Sequence, residues 1–206
     1  MAEFSLYERT IRRAKRFDKN MLTQNLETGQ AKEEATGACA TVCTYIASYF
    51  CTLEKNCGPS KEDICSLLIR SCIRWKELVG EFTSVQKAFM MSLHTKMKVR
   101  FEQMHRNGYG GRQIINLQHS LECGMRLFTK PVALFICANE YTFVFLMRSH
   151  CTQIFFFDPH GHNAIFERVR DLSHLIQVIR LNCRVDEHTD YDLVWAQRTG
   201  FMDKLK

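Results

Sequence analysis

Residues 153–162 read Gln153-Ile154-Phe155-Phe156-Phe157-Asp158-Pro159-His160-Gly161-His162, an aromatic run that ends in Asp-Pro-His-Gly. Successive β-branched and aromatic residues predict a buried strand, which should end at Pro159 because proline cannot donate a ladder hydrogen bond. Residues two apart on a strand point the same way, so Asp158 and His160 should emerge together at the sheet edge. A bend at Pro159 would bring carboxylate to imidazole, an arrangement typical of a base and its orienting group.

Two further β-rich runs precede this strand and predict an antiparallel meander. They extend from Val132 to Cys137 and from Tyr141 to Met147, with short connections between them and the run from Gln153 to Phe157. Connections this short join antiparallel neighbours. A helix from about Asp171 to Arg180 and a last strand from Tyr191 to Ala196 complete the second half of the chain.

The first half of the chain predicts helices. Apolar residues cover more than one face from Cys39 to Leu53, which indicates a helix buried on most sides. Ser60 and Asp63 predict the cap of a second helix, and a third, from about Ser84, should carry apolar residues as far as Phe101. The segment from Asp18 to Thr36 has a weaker pattern and is interpreted as a loop that carries functional side chains.

These elements predict a single α+β domain over residues 1–206, with a helical half packed against an antiparallel sheet. Its expected parts are an N-terminal basic helix over 1–20, a mostly helical half over 21–107 and a β-rich half over 108–206. The glycine-rich loop from Asn107 to Gly111 marks the boundary between the halves.

Composition narrows the class of protein. Hydrophobic residues make up 46% of the 206 residues, enough for a packed core. Ten cysteines without a Cys-x-x-Cys pair predict reduced thiols in an intracellular, cytoplasmic setting, with no structural metal. No signal peptide or membrane-spanning run is apparent. The net charge of +6 comes partly from basic residues near the start, interpreted as a solvated helix face, so neither nucleic acid nor membrane is an expected partner.

Gly37-Ala38-Cys39 provides the nucleophile that the Asp-His pair lacks. Cys39 begins an apolar helix, and a helix N-terminus stabilises a thiolate through its partial positive charge and open N–H groups. His160 would be the base and Asp158 its orienting group, with an oxyanion-hole amide supplied by the preceding loop. Cys43, one turn further into the helix, is a second candidate nucleophile.

The order of these motifs resembles that of a known family of cysteine proteases. The stretches that carry the resemblance are Gly37-Ala38-Cys39, Lys130-Pro131-Val132-Ala133-Leu134, Tyr141-Thr142-Phe143-Val144 and Phe157-Asp158-Pro159-His160-Gly161. With them the chain is similar to the deubiquitinase domain of herpesvirus large tegument proteins and to tegument-like deubiquitinases outside herpesviruses. The resemblance implies a papain-like cysteine protease architecture, with ubiquitin or polyubiquitin chains as the partner, no cofactor, a monomer, and host cytoplasm or nucleus as a possible location.

The resemblance also implies roles for particular residues. Cys39 would be the nucleophile, His160 the base and Asp158 the residue that orients it. An upstream glutamine would assist the oxyanion hole, and Gln24 is preferred over Gln30. The chain departs from the family in having Ala38 where a glutamine or similar polar residue usually precedes the cysteine, and neither glutamine has the family spacing to Cys39.

Three alternatives remain open at the level of sequence. His160 and His162 could bind zinc together with a nearby cysteine or histidine. The same fold could hold ubiquitin or another partner without catalysis. A cysteine protease or transferase of this fold could also act on another ubiquitin-like or acyl substrate, since fold does not determine function.

Overall fold

The computed structural model describes residues 23–53, 59–78, 81, 84–92, 99–107, 131–138, 141–147, 154–169 and 191–198. Three helices lie among them: α1 (Cys39–Phe50), α2 (Lys61–Leu78) and α3 (Val85–Ser92). The strands are β1 (Thr23–Asn25), β2 (Val99–Asn107), β3 (Val132–Ala138), β4 (Tyr141–Met147), β5 (Ile154–Asp158), β6 (Ile165–Val169) and β7 (Tyr191–Arg198). The predicted N-terminal helix and the helix near residues 171–180 lie outside the described residues.

The described strands form one sheet in the order β1-β6-β5-β4-β3-β7-β2, and every neighbouring pair is antiparallel. The predicted meander is confirmed as β3, β4 and β5, since Leu134 pairs with Phe145 and Phe145 with Phe156. The predicted last strand is β7, which pairs with β3 on the side opposite β4. The meander therefore forms the centre of the sheet, where both neighbours satisfy its backbone groups.

Two predictions for the first half of the chain are wrong. The third helix is described over Val85–Ser92, and it does not carry Phe101, because Val99–Asn107 form strand β2, which pairs with β7. Thr23–Asn25, interpreted as part of a loop, is a short edge strand that pairs with β6. Apolar spacing over a few residues does not separate helix from strand, and here the open edges of the sheet decide the outcome.

Helix α1 lies at the centre of the molecule, as its all-round apolar pattern predicts. It packs against α2 and α3 on one side and against β4 and β3 on the other. Ile46 and Phe50 are fully buried, and each contributes roughly 1.5–3 kcal/mol through burial of its side chain. A helix held from both sides places its N-terminal residue at a defined point above the sheet.

The second helix begins where its cap was predicted. Ser60 Oγ accepts a hydrogen bond from the Asp63 N–H at 3.1 Å, and Tyr49 Oη donates to Asp63 Oδ2 at 2.6 Å, which ties α2 to α1. The inner face of α2 is Ile64, Leu68, Cys72 and Trp75, all buried. Among the described helices, none combines the length and the apolar character needed to cross a bilayer.

Candidate active site

The Asp-Pro-His turn at the end of β5 forms the first part of the site. Asp158 Oδ1 accepts hydrogen bonds from the His160 backbone N–H at 2.9 Å and from His160 Nδ1 at 2.6 Å. Asp158 is 0% exposed and His160 is 6% exposed. An aspartate that bonds the N–H two residues on is a common local turn, and Pro159 between them restricts the backbone to it. The turn therefore places the imidazole on the carboxylate without help from distant residues.

Aromatic rings from β4 surround the imidazole. The ring of Tyr141 stands edge-on to His160 with centroids 4.6 Å apart, and that of Phe143 is tilted at 5.2 Å. Side chains of residues two apart share a face of a strand, so both rings reach the same histidine. The imidazole of His160 therefore packs against two aromatic rings of β4 while its Nδ1 is bonded to Asp158.

Cys39, the first residue of α1, completes the group. Its side chain is 3% exposed and forms hydrogen bonds with His160 and with Thr142. Since Nδ1 of His160 is bonded to Asp158, Nε2 is the ring nitrogen left for the Cys39 sulfur. The structure thus brings together the three residues singled out from two distant parts of the sequence.

The electrostatics of the pair favour an ionised state. Burial raises the pKa of the Cys39 thiol, but hydrogen bonding and charge attraction from His160, together with hydrogen bonds from Thr142, outweigh burial and hold the pKa below its ordinary value. Burial likewise lowers the pKa of His160, but Asp158 and Cys39 outweigh it and raise the pKa to about 9. The two shifts favour the thiolate form of Cys39 and the imidazolium form of His160.

Cys43 occupies a different environment. Its Sγ donates to the Thr142 carbonyl at 3.4 Å and is 0% exposed. Burial, with repulsion from the Cys39 and Cys137 sulfurs, raises the pKa of Cys43 well above its ordinary value. A neutral, enclosed thiol is a poor nucleophile, so the structure favours Cys39 over Cys43 for that role.

The loop before α1 is fastened to the histidine turn. The Gln30 N–H donates to the Pro159 carbonyl at 2.9 Å, and the Ala31 N–H donates to the Gly161 carbonyl at 3.1 Å. A Cβ added at Gly29 would lie 2.4 Å from the Gly161 oxygen, closer than atoms can approach. Gly161 itself has φ +84°, a left-handed conformation that favours glycine. Nucleophile and base are therefore positioned by one connected set of backbone contacts.

The two candidate oxyanion glutamines have different positions. Gln30 is buried, its Nε2 donates to the Thr36 carbonyl at 3.2 Å, and its own carbonyl accepts the Ala35 N–H at 2.8 Å. These bonds brace the loop that leads into α1. Gln24 lies in β1 opposite Phe166, and its side chain is outside the described part of the structure.

Three site residues were missed by sequence reasoning, all at the start of β4. Tyr141 and Phe143 contact His160, and Thr142 contacts Cys39. Their alternation along the strand is visible in the sequence, but which strand end faces the histidine depends on the sheet order. The stretch Tyr141-Thr142-Phe143-Val144 carried part of the family resemblance without a role for any member.

The zinc alternative has no support in the described residues, which contain no group of three histidine, cysteine, aspartate or glutamate side chains able to hold a metal ion. His160 is instead engaged by Asp158 and Cys39. His162 lies on the exposed side of the turn.

Comparison with known proteins identifies the fold that carries this site. No protein-family model and no curated protein sequence matches the chain. Among solved structures the chain is similar to the ubiquitin-specific protease encoded by a murine cytomegalovirus tegument protein, in complex with a ubiquitin-based suicide substrate. That likeness has a TM-score of 0.54 at 13% identity and covers 90% of each chain.

A second likeness, to the cysteine protease-like domain of the Photorhabdus asymbiotica toxin PaTox, has a TM-score of 0.43 at 10% identity. It covers 94% of this chain and 58% of that one. The protein has an α+β, papain-like cysteine protease fold, with helices packed on an antiparallel sheet. The expected fold class is confirmed.

Proposed function

We propose that the protein is a cysteine-type deubiquitinase that hydrolyses isopeptide and peptide bonds after the C-terminal glycine of ubiquitin. The observation that carries the proposal is the continuous contact from Cys39 through His160 to Asp158, in which the thiol pKa is lowered and the imidazole pKa is raised. A helix-initial cysteine buried for structural reasons alone would have a raised pKa, as Cys43 does. The fold shared with a ubiquitin-specific protease supports the choice of substrate.

In the first half-reaction the Cys39 thiolate attacks the carbonyl carbon of the terminal glycine and forms a tetrahedral intermediate. His160, already protonated, gives its proton from Nε2 to the nitrogen of the departing amine. The C–N bond then breaks and leaves a thioester between Cys39 and ubiquitin. Asp158 holds the Nδ1 proton throughout, which fixes the tautomer and stabilises the imidazolium.

In the second half-reaction His160 accepts a proton from water, and the resulting hydroxide attacks the thioester. Cys39 leaves as a thiolate and free ubiquitin is released. The negative oxygen of each intermediate needs hydrogen-bond donors. The first N–H groups of a helix have no partner within the helix, and no side chain caps α1 at Ala38, so this turn is the proposed main-chain donor. Gln24 is the proposed side-chain donor, with Gln30 as the alternative.

The ubiquitin tail explains why a site so enclosed could still be specific. Ubiquitin ends in two glycines, whose bare backbone can pass through a channel that excludes larger side chains. The Cys39 side chain is only 3% exposed, so a substrate must approach through a narrow opening. The loop over residues 33–38, directly before the nucleophile, forms one wall of the proposed channel.

A ubiquitin with a C-terminal electrophile tests the proposal directly. We expect a covalent adduct whose peptide map places the modification on Cys39. Cys39→Ala should give no adduct, while Cys43→Ala, a matched change one turn along the same helix, should react like the wild type. A panel of ubiquitin-like probes separates a deubiquitinase from a protease for another modifier. Absence of any adduct with folded wild-type protein would favour a non-catalytic binding module.

A second test addresses the channel. A ubiquitin fusion in which the two C-terminal glycines are changed to alanines should have kcat/KM lower by roughly a hundredfold or more, because a poor fit at the reacting bond costs several kcal/mol. Similar values for the two fusions would indicate an open groove and a general peptidase.

A further inference from the structure

Thr142, the second residue of β4, contacts three thiols at once. Its carbonyl accepts a hydrogen bond from Cys43 Sγ at 3.4 Å, and its Oγ1 donates to Cys137 Sγ at 3.7 Å. Its hydroxyl and its main chain also form hydrogen bonds with Cys39. The side chain is only 6% exposed, so these contacts are shielded from water.

The cause lies in the end of the β4–β5 ladder. The last pairs along this ladder are Phe145 with Phe156 and Val144 with Phe157. The same register places Thr142 opposite Pro159, which has no N–H to donate, so the ladder cannot continue through this position. At this position the Thr142 carbonyl accepts from Cys43 of α1.

Thr142 presents groups of opposite kind to the two cysteines of α1. Its carbonyl can only accept a hydrogen bond, so it favours the neutral S–H of Cys43. Only donors favour a thiolate, so the groups that face Cys39 are the hydroxyl O–H and the main-chain N–H. One residue therefore favours ionisation of one sulfur and protonation of the other.

The single hydroxyl hydrogen has two possible acceptors, Cys39 and Cys137. Burial raises the pKa of Cys137 to about 12, so Cys137 keeps its own hydrogen. The hydroxyl donates to Cys137 Sγ at 3.7 Å. A charged sulfur is the stronger acceptor, so ionisation of Cys39 draws this hydrogen toward the nucleophile.

We propose that Thr142 is a positioning residue of the active site, whose hydroxyl and N–H hold the Cys39 sulfur as a thiolate facing His160 while its carbonyl holds Cys43 as a thiol. The inference rests on Cys39 as the nucleophile of the proposed function. It assigns to the start of β4 a role beyond contact with the imidazole.

The test is the pH dependence of Cys39 alkylation by iodoacetamide, followed by peptide mapping. Thr142→Val removes the hydroxyl but keeps the branched shape and the N–H. We expect its midpoint to move about one pH unit upward, which is roughly a tenfold loss of alkylation rate well below the midpoint. Thr142→Ser, which restores the hydroxyl, should return the midpoint to within a few tenths of a unit of wild type.

Thr44→Val is the matched control, because Thr44 is also a fully buried hydroxyl, on α1, and donates to the Thr41 carbonyl at 2.8 Å. It should leave the Cys39 midpoint unchanged even if stability falls. If Thr142→Val does not fold, Thr142→Ala provides the same comparison. An unchanged midpoint in the folded variant, or a serine variant that behaves like valine, overturns the proposal.

Iodoacetamide requires no ubiquitin, so the two proposals fail separately. A shifted midpoint in a protein that ignores ubiquitin probes would preserve the role of Thr142 and remove the deubiquitinase. Normal ubiquitin cleavage with an unchanged alkylation midpoint in Thr142→Val would support the deubiquitinase and remove the role of Thr142.

Discussion

The first and second turns of α1 each carry a cysteine, and the two thiols have opposite pKa shifts because they have different hydrogen-bond partners. Cys39 interacts with the His160 imidazole and with donors of Thr142, and its pKa is lowered. Cys43 donates to the Thr142 carbonyl and is repelled by neighbouring sulfurs, and its pKa is raised. Both are at least 97% buried. Burial alone therefore does not separate a reactive from an inert thiol; the partners within hydrogen-bonding distance do.

The largest expected effect comes from exchanging the two cysteines for alanine. Cys39→Ala should lower kcat/KM for a ubiquitin fusion on the order of 10⁴-fold or more, since no nucleophile remains, while Cys43→Ala should stay within about threefold of wild type. Both are small changes on a buried helix, and circular dichroism should show both folded. An inactive Cys43→Ala beside an active Cys39→Ala would reverse the comparison.

Changes to the base and its orienting group come next. His160→Ala should cost roughly 10³-fold or more in kcat, because proton transfer to the leaving amine is lost. Asp158→Asn keeps an oxygen that can accept from His160 but removes the charge that raises the pKa of the imidazole, and it should retain about tenfold more activity than His160→Ala. Steady-state kinetics of both variants at pH 7 test this order, and wild-type activity in His160→Ala would rule out the mechanism.

The pH dependence of activity tests the shifted pKa values of Cys39 and His160 without any mutation. The Cys39 pKa is depressed, so its thiolate is lost only as pH falls through that lowered pKa. The His160 pKa is raised to about 9, so the proton needed by the leaving amine is lost as pH rises through about 9. We expect a bell-shaped kcat/KM with its alkaline limb near 9.

Asp158→Asn should move that limb to lower pH, because the carboxylate no longer favours imidazolium. Alkylation of Cys43 should stay slow throughout this range, since its pKa is raised. An alkaline limb near pH 6.5, the ordinary pKa of histidine, would contradict the ion pair.

The smallest expected effects concern the loop that joins the two halves of the site. Gly29→Ala should destabilise the fold by roughly 1–3 kcal/mol, because a Cβ there would meet the Gly161 carbonyl, and should slow Cys39 alkylation by disturbing the histidine turn. Glu34, in the same loop, has φ 52°, and Glu34→Gly should change stability by about 1 kcal/mol or less, in the stabilising direction. Thermal unfolding and alkylation rates compare the two variants, and equal behaviour would mean that the close approach at Gly29 is not needed.

Much of the core of the fold was predictable because its signals are local and repeated. The three strands of the meander and the helix that starts at Cys39 follow from hydrophobic period and from breaks at polar connections. The two edge strands, and the strand β6 next to one of them, were not found. Thr23–Asn25 and Ile165–Val169 are short, and Val99–Asn107 follows a helical pattern without a clear break, so their state depends on the sheet that they join.

The contact between Asp158 and His160 was determined by the sequence alone, because two residues on either side of a proline meet through a turn whose dihedral angles are local. The contact between His160 and Cys39 was decided by tertiary structure. It requires α1 to pack on β4 and the loop at Gly29 to fit against Gly161, and both depend on buried surfaces contributed by distant parts of the chain. The same packing made Thr142 part of the site and set Cys43 apart from Cys39, since a thiol takes its pKa from its neighbours in space.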